Sequence, residues 1–148
     1  FNHIVGYSLS GVEEKTAEIS GGKWLPAYND RMHQLKLNEM FTWKAWTITG
    51  SWHLGSGLPM INLSADNSSA EVERTDFFSQ LDLALVRKFD SRHFSANAGI
   101  SLLNIFNRKN IVEVNYLRFQ SEDGSLTARS DISALGFTPL FFINFRFQ

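Results

Sequence analysis

The sequence predicts an all-β chain, a segment of an antiparallel up-and-down transmembrane β-barrel. Three observations carry that reading. Apolar and polar residues alternate with period two through six stretches, the connections between them alternate between long and very short, and large aromatics gather where stretches end. Successive side chains on a strand point to opposite faces, so this patterning gives one sheet a greasy face and a wet face. In lipid every backbone group must be paired, and outer-membrane barrels join their strands by short periplasmic turns and longer outer loops.

Along the chain, residues 1–12 alternate as Phe1, His3, Val5, Tyr7, Leu9 against Asn2, Ile4, Gly6, Ser8, Ser10, with His3 and Ile4 as the imperfect positions. Residues 13–33 read as a long polar loop, punctuated by Gly21-Gly22 and Pro26. From Gln34 to Trp43 the odd face is Leu35, Leu37, Glu39, Phe41, Trp43, broken by Glu39, and Lys44-Ala45 is a tight turn. Residues 46–54 give the clearest strand: Trp46, Ile48, Gly50, Trp52 and Leu54 on one side, Thr47, Thr49, Ser51 and His53 on the other. Gly55 to Pro59 end it, and a polar loop runs to about Thr75. Residues 77–89 carry Phe77, Leu81, Leu83, Leu85 and Phe89 opposite Gln80, Asp82, Ala84 and Lys88, with Asp90-Ser91-Arg92 as the next short turn. Residues 94–102 alternate Phe94, Ala96, Ala98, Ile100, Leu102 with Ser95, Asn97, Gly99, Ser101. Leu103 to Asn110 interrupt the pattern. An extended stretch, Ile111 to Phe119, then leads through a hairpin turn at Glu122-Asp123-Gly124-Ser125. The final stretch has an apolar column, Phe137, Pro139, Phe141, Ile143, Phe145, Phe147, beside Thr138, Leu140, Phe142, Asn144, Arg146, Gln148. This topology places Trp43, Trp46, Phe89, Phe145 and Phe147 together at the periplasmic boundary, where membrane barrels carry an aromatic girdle.

Composition bounds the function. A chain of 148 residues suits one domain, and a net charge of −1 with scattered basic residues speaks against nucleic acid as a partner. The absence of cysteine excludes a disulfide framework and thiolate chemistry. No apolar run approaches the roughly 18 residues of a spanning helix, whereas alternation hides barrel strands from hydropathy averaging. The start at Phe1, without Met or a signal peptide, is expected of a processed or partial chain. The four histidines, His3, His33, His53 and His93, show no paired spacing, so neither a metal nor another cofactor is expected. No nucleophile motif or phosphate-cradling loop is present, and the chain is not expected to be an enzyme. The candidates for substrate contact are Trp24, Tyr28, Asp30 and Arg31, which end an outer loop and set aromatics beside charges, and His53, Gln80 and Asp82, which face the lumen. For each the plainer reading is structural: a loop motif for the first set, a polar pore wall for the second.

Four segments add a resemblance. Leu25-Pro26-Ala27-Tyr28-Asn29-Asp30-Arg31-Met32-His33-Gln34-Leu35, Gly55-Ser56-Gly57-Leu58-Pro59, Leu103-Asn104-Ile105-Phe106-Asn107-Arg108-Lys109-Asn110 and Gly136-Phe137-Thr138-Pro139, in this order, resemble the C-terminal part of TonB-dependent outer-membrane receptors of the Bacteroidetes type. The resemblance implies a roughly 22-stranded barrel with an N-terminal plug, importing siderophores, cobalamin, glycans or another scarce nutrient with energy from TonB. Residues 1–148 would then be about the last six strands, lacking the plug. Their partners would be the rest of the receptor, TonB through the missing N-terminal part, outer-membrane lipid and a surface lipoprotein. The sequence departs from the family at Phe142, where the family's assembly signal has glycine, and in the extra Gln148. The competing readings are a small outer-membrane barrel acting as adhesin or structural protein, and a soluble ligand-binding β-domain, whose apolar face would be a core.

Overall fold

The computed structural model describes residues 1–15, 22–63, 70–121 and 124–147. Residues 16–21 and 64–69, the Glu122-Asp123 pair of the expected hairpin turn and Gln148 lie outside the described residues. The described chain is all-β, and its sheets are antiparallel. There are twelve strands in chain order: β1 Asn2–Leu9, β2 Glu13–Glu14, β3 Leu25–Pro26, β4 His33–Trp43, β5 Trp46–Gly55 and β6 Pro59–Leu63, followed by β7 Ala70–Arg74, β8 Phe78–Asp90, β9 Phe94–Leu103, β10 Ile111–Ser121, β11 Gly124–Ser133 and β12 Thr138–Phe147.

Six of these form one sheet in the order β1-β4-β5-β8-β9-β12, so each of the six lies beside the next of them in chain order. Lys44-Ala45 and residues 91–93 turn at one end of the sheet. The three long connections leave from the other end. Each of them contains a hairpin of its own: the short pairs β2 with β3 and β6 with β7, and the longer pair β10 with β11. This differs from the polar loops expected over 13–33 and 59–75. Strand pairs such as Met60↔Glu73 and Ile61↔Val72 form there without a sustained apolar column to announce them.

No register shift interrupts any of the five ladders of the main sheet. Residues opposite each other therefore share a face, and whole rows can be followed across it. One row runs Phe41, Ile48, Leu85, Ile100, Phe141, and the next towards the short turns runs Trp43, Trp46, Arg87, Ala98, Ile143. On the other face the rows read Asn38, Ser51, Asp82 and Lys36, His53, Gln80. The two polar breaks in the apolar face, His3 and Glu39, stand opposite one another on β1 and β4, with His3 Nδ1 against the Glu39 carboxylate. Two imperfections of the pattern thus resolve into one cross-strand pair.

The apolar face is open: Phe141 is 79% and Phe147 81% exposed, and Val5, Phe41, Trp43, Ile48, Leu83, Ile143 and Phe145 are exposed with them. The buried apolar side chains lie elsewhere. Leu25, Ala27, Leu58, Met60, Phe78 and Val114 all sit at the long-connection end, and Ala96 alone belongs to the body of the sheet near the short turns.

Phe142 has a structural counterpart. It pairs with Gly99 on β9, where a Cβ would stand 2.6 Å from the Phe142 ring and 2.8 Å from the Leu85 carbonyl oxygen. The large side chain on β12 lies in the space left by a glycine one strand away. Gly99→Ala should therefore destabilise the native protein by roughly 1–3 kcal/mol through overpacking, while Gly6→Ala, with nothing within 4 Å of its Cβ, should shift it by about 0.5 kcal/mol or less. Urea unfolding followed by tryptophan fluorescence compares them, and equal effects would contradict the packing account.

Candidate functional site

The resembling segments converge on the long-connection end of the sheet, where charged and amide side chains take the place of backbone partners. Arg31 leaves the chain just before β4 and donates from Nη1 to the Ser56 carbonyl at 2.7 Å and from Nη2 to the Ile111 carbonyl at 3.2 Å. Its guanidinium also lies 4.9 Å from the centre of the Phe78 ring. Gly55 makes room for it, since a Cβ there would meet the Arg31 side chain at 2.6 Å. Burial pushes the Arg31 guanidinium below its usual pKa, and the two carbonyls and the ring take the place of the lost water.

Asp30 is 3% exposed and accepts from Arg74 Nη2 at 2.6 Å and from the Val12 N–H at 3.0 Å. Arg74 Nη1 also donates to the Asp30 and Gly57 carbonyls, both at 3.0 Å. Gly57 permits the approach of β7's end, because a Cβ would collide with the Thr75 backbone. Thr75 in turn closes a pair with Leu58, through its N–H to the Leu58 carbonyl and its Oγ1 from the Leu58 N–H. The two glycines of Gly55-Ser56-Gly57 thus have separate steric tasks, one for a side chain and one for backbone.

The Asn104, Asn107 and Asn110 series does the same work further along. Asn104 and Asn107 have φ of 49° and 47°, the left-handed region that asparagine tolerates better than most side chains. Asn104 is fully buried, donating from Nδ2 to the Arg108 and Leu135 carbonyls and accepting from the Arg108 N–H. Asn110 accepts from the Ser79 N–H and donates to the Ser79 carbonyl, both at 2.9 Å, so its amide imitates a neighbouring strand. Asn107 accepts from the Phe137 N–H, and Gly136 leaves it the space. The β8–β9 ladder stops at Leu83↔Leu102, and above that point this turn supplies the partners of β8 and holds the start of β12.

Of the candidates for substrate contact, Asp30 and Arg31 are engaged in this clasp. Trp24 and Tyr28 remain exposed beside it. His53, Gln80 and Asp82 share the polar face: His53 stands opposite Gln80, and Gln80 Nε2 donates to both Asp82 oxygens at 3.0–3.1 Å. Asp82 also accepts the Asn104 N–H at 2.8 Å, which joins the polar face to the clasp. His53 packs its ring 4.8 Å from Phe78, and its Nε2 has no hydrogen-bond partner among the described residues. Next to this strip lies a shallow groove of about 360 Å³ whose polar lining is Asn2, Asn38, Glu39, Thr49, Ser51, Asp82 and Ser101. It offers hydroxyls, amides and the carboxylate residues Glu39 and Asp82, which suits reversible hydrogen bonding of a polar solute. No group of three or more His, Cys, Asp or Glu suited to a metal ion occurs among the described residues.

The aromatics assigned to a girdle do come to one end of the sheet. Trp43 pairs with Trp46, Phe145 with Ala96 and Phe147 with Phe94, and Phe89 also faces Ala96. Arg74 and Thr75 were not among the candidates drawn from the sequence, and Asn104, Asn107 and Asn110 stood out there only as part of a resembling segment. Asparagines spaced by three across a break in alternation were a legible sign of turn chemistry, but nothing in the sequence ties Arg74 to Asp30.

Comparison with protein-family models, with curated proteins and with solved structures gives no match for this chain.

The Asp30 carboxyl carries a pH dependence. Burial acts to raise its pKa, but the Arg74 hydrogen bond, the Val12 N–H and the Arg74 charge together hold it below the usual carboxylate value. Its stabilising effect is therefore complete above the unfolded value of about 4 and is lost as pH falls through the lower folded value. After correction for intrinsic exchange, protection of the Val12 amide should hold from neutral pH to about 4 and collapse below that. In Asp30→Asn it should be weaker and independent of pH. Unchanged wild-type protection down to pH 2 would contradict the assignment.

Proposed function

We propose that this chain is the C-terminal part of the β-barrel of a TonB-dependent outer-membrane receptor, which imports a scarce nutrient such as a siderophore, cobalamin or a glycan. The observation that carries the reading is the open apolar face of the sheet, bordered by aromatics at its short-turn end and backed by a polar face. A contiguous exposed surface of Phe141, Ile143, Phe145, Phe147, Leu85, Ile48 and Phe41 would drive association in water, whereas lipid is a matching solvent for it. The polar face then lines the lumen, and the short turns lie in the periplasm. The long connections with their hairpins lie outside the cell.

In this account the chain contributes wall, outer loops and the closing strand β12, and no catalysis. Trp24 and Tyr28 meet substrate at the outer mouth, while His53, Gln80 and Asp82 line its route beside the plug. Asp30 and Arg31 serve indirectly by holding the loop roots. The edges of β1 and β12 are completed by the remaining strands of the receptor, since a spanning sheet with open edges leaves backbone groups unpaired in lipid. TonB acts through the plug, upstream of these residues, and a surface lipoprotein is a further partner.

Residues 1–148 contain no cysteine, so single cysteines introduced here into the native protein, with any cysteine elsewhere in it replaced by serine, test this topology in whole cells. A membrane-impermeant maleimide should label Tyr28→Cys on intact cells, and Lys44→Cys only after the outer membrane is opened. Phe141→Cys should stay unlabelled in both conditions. Labelling of Lys44→Cys on intact cells, or ready labelling of Phe141→Cys, would contradict the reading. The intact mass of the same protein separates receptor from small barrel: the receptor requires several times 16.8 kDa, with a plug upstream.

A further inference from the structure

The basic residues scatter in the sequence, but the topology gathers five of them at the short-turn end: Lys44, Arg87, Lys88, Arg92 and Arg146. A single carboxylate, Asp90, lies among them, and Lys88 holds it at 2.9 Å. Arg87 is set apart from the others because it stands on the apolar face, in the column Leu83, Leu85, Arg87, Phe89. Its guanidinium lies 5.1 Å from the centre of the Trp46 ring and 4.9 Å from that of Phe89, one ring across the ladder and the other two residues along the strand. These contacts hold its position, yet none of its N–H donors has an oxygen acceptor among the described residues.

A guanidinium positioned by rings with its fork of donors unused is prepared for a bidentate oxyanion. The surface beside it suits a chain of methylenes. Ala98 is half-buried between Arg87 and Ile143 and leaves a shallow furrow there, while Ala96, the next small residue on this face, is already covered between Phe89 and Phe145. Resting on the membrane reading above, we infer that Arg87 binds the phosphate of a phospholipid headgroup at the periplasmic boundary, with an acyl chain lying in the furrow. Trp46 and Phe89 are positioning residues that hold the guanidinium at the depth of the headgroup. Lys44, placed over the Trp43 ring at 4.8 Å, adds positive potential to the same rim.

The test uses the full-length protein, extracted in a maltoside detergent and examined by native mass spectrometry. The probes are phosphatidylglycerol, diacylglycerol with the same acyl chains, and inorganic phosphate. The wild type should retain phosphatidylglycerol at a saturable site, and Arg87→Gln should weaken that retention on the order of tenfold. Arg87→Lys should weaken it less, keeping charge without the fork. Arg108→Gln removes an arginine stacked on Phe77 at the opposite end and should leave retention unchanged. Equal retention of diacylglycerol, displacement by inorganic phosphate, no effect of Arg87→Gln, or an equal effect of Arg108→Gln would each overturn the inference. A heat-dependent shift in gel mobility confirms that each variant is folded. Recovery of the wild type in the soluble fraction would instead overturn the membrane reading itself.

Discussion

Constancy of register is the constraint on which the rest of this structure depends. Side chains alternate with period two, so one inserted residue in any ladder would turn the remainder of that strand over and put its apolar column on the polar side. Five ladders run from β1 to β12 without such a slip. The consequence is a surface property: rows of side chains that are far apart in sequence align across six strands. It is also why His3 meets Glu39, why Phe142 meets Gly99, and why Trp43, Trp46, Phe89, Phe145 and Phe147 reach one end together. A register shift does occur in the chain, between Ile111 and Glu113 in the β10–β11 hairpin, outside the main sheet.

A sheet of this kind has to be ended as carefully as it is aligned, since β8 and the loop roots present backbone groups that no strand pairs. The solution is side-chain imitation of backbone. Arg31 and Arg74 each hold two carbonyls, and the Asn110 amide takes both polar groups of Ser79. Hydrogen bonds to charged groups contribute roughly 1.5–3 kcal/mol each, so the clasp is strong where the apolar core is small. It leaves the exposed aromatics Trp24 and Tyr28 beside a firm base. The same clasp reaches the polar face through Asp82, so the loop roots and that face of the sheet are mechanically one unit.

Much of this was legible in the sequence, for a physical reason. The six long strands carry their apolar residues at period two because one whole face is apolar, and the short turns stand out because alternation resumes at once after Lys44-Ala45. The β2–β3 and β6–β7 hairpins were less legible, since short strands without an apolar face have no period to show, whereas the extended stretch from Ile111 and the turn near Gly124 did mark β10–β11. Of the candidate site, Asp30 and Arg31 were singled out for charge beside aromatics, and the structure places them in the clasp by contacts with Arg74, Ser56 and Ile111. Those contacts span 25 to 80 residues, and no local pattern encodes them. The glycines at 55, 57, 99 and 136 are a similar case, because each is explained by an atom from a distant segment.

The central claim is that the apolar face meets lipid and the polar face meets water. Spin labels placed singly at positions 139 to 145 of β12 in the membrane-embedded protein test it most directly. Collision with dissolved oxygen reports contact with lipid, and collision with a water-soluble nickel chelate reports contact with the lumen. The account predicts alternation of period two, with Pro139, Phe141, Ile143 and Phe145 accessible to oxygen and Leu140 and Asn144 accessible to the chelate. Odd positions shielded from both reagents would reveal a protein core in place of lipid and would contradict it.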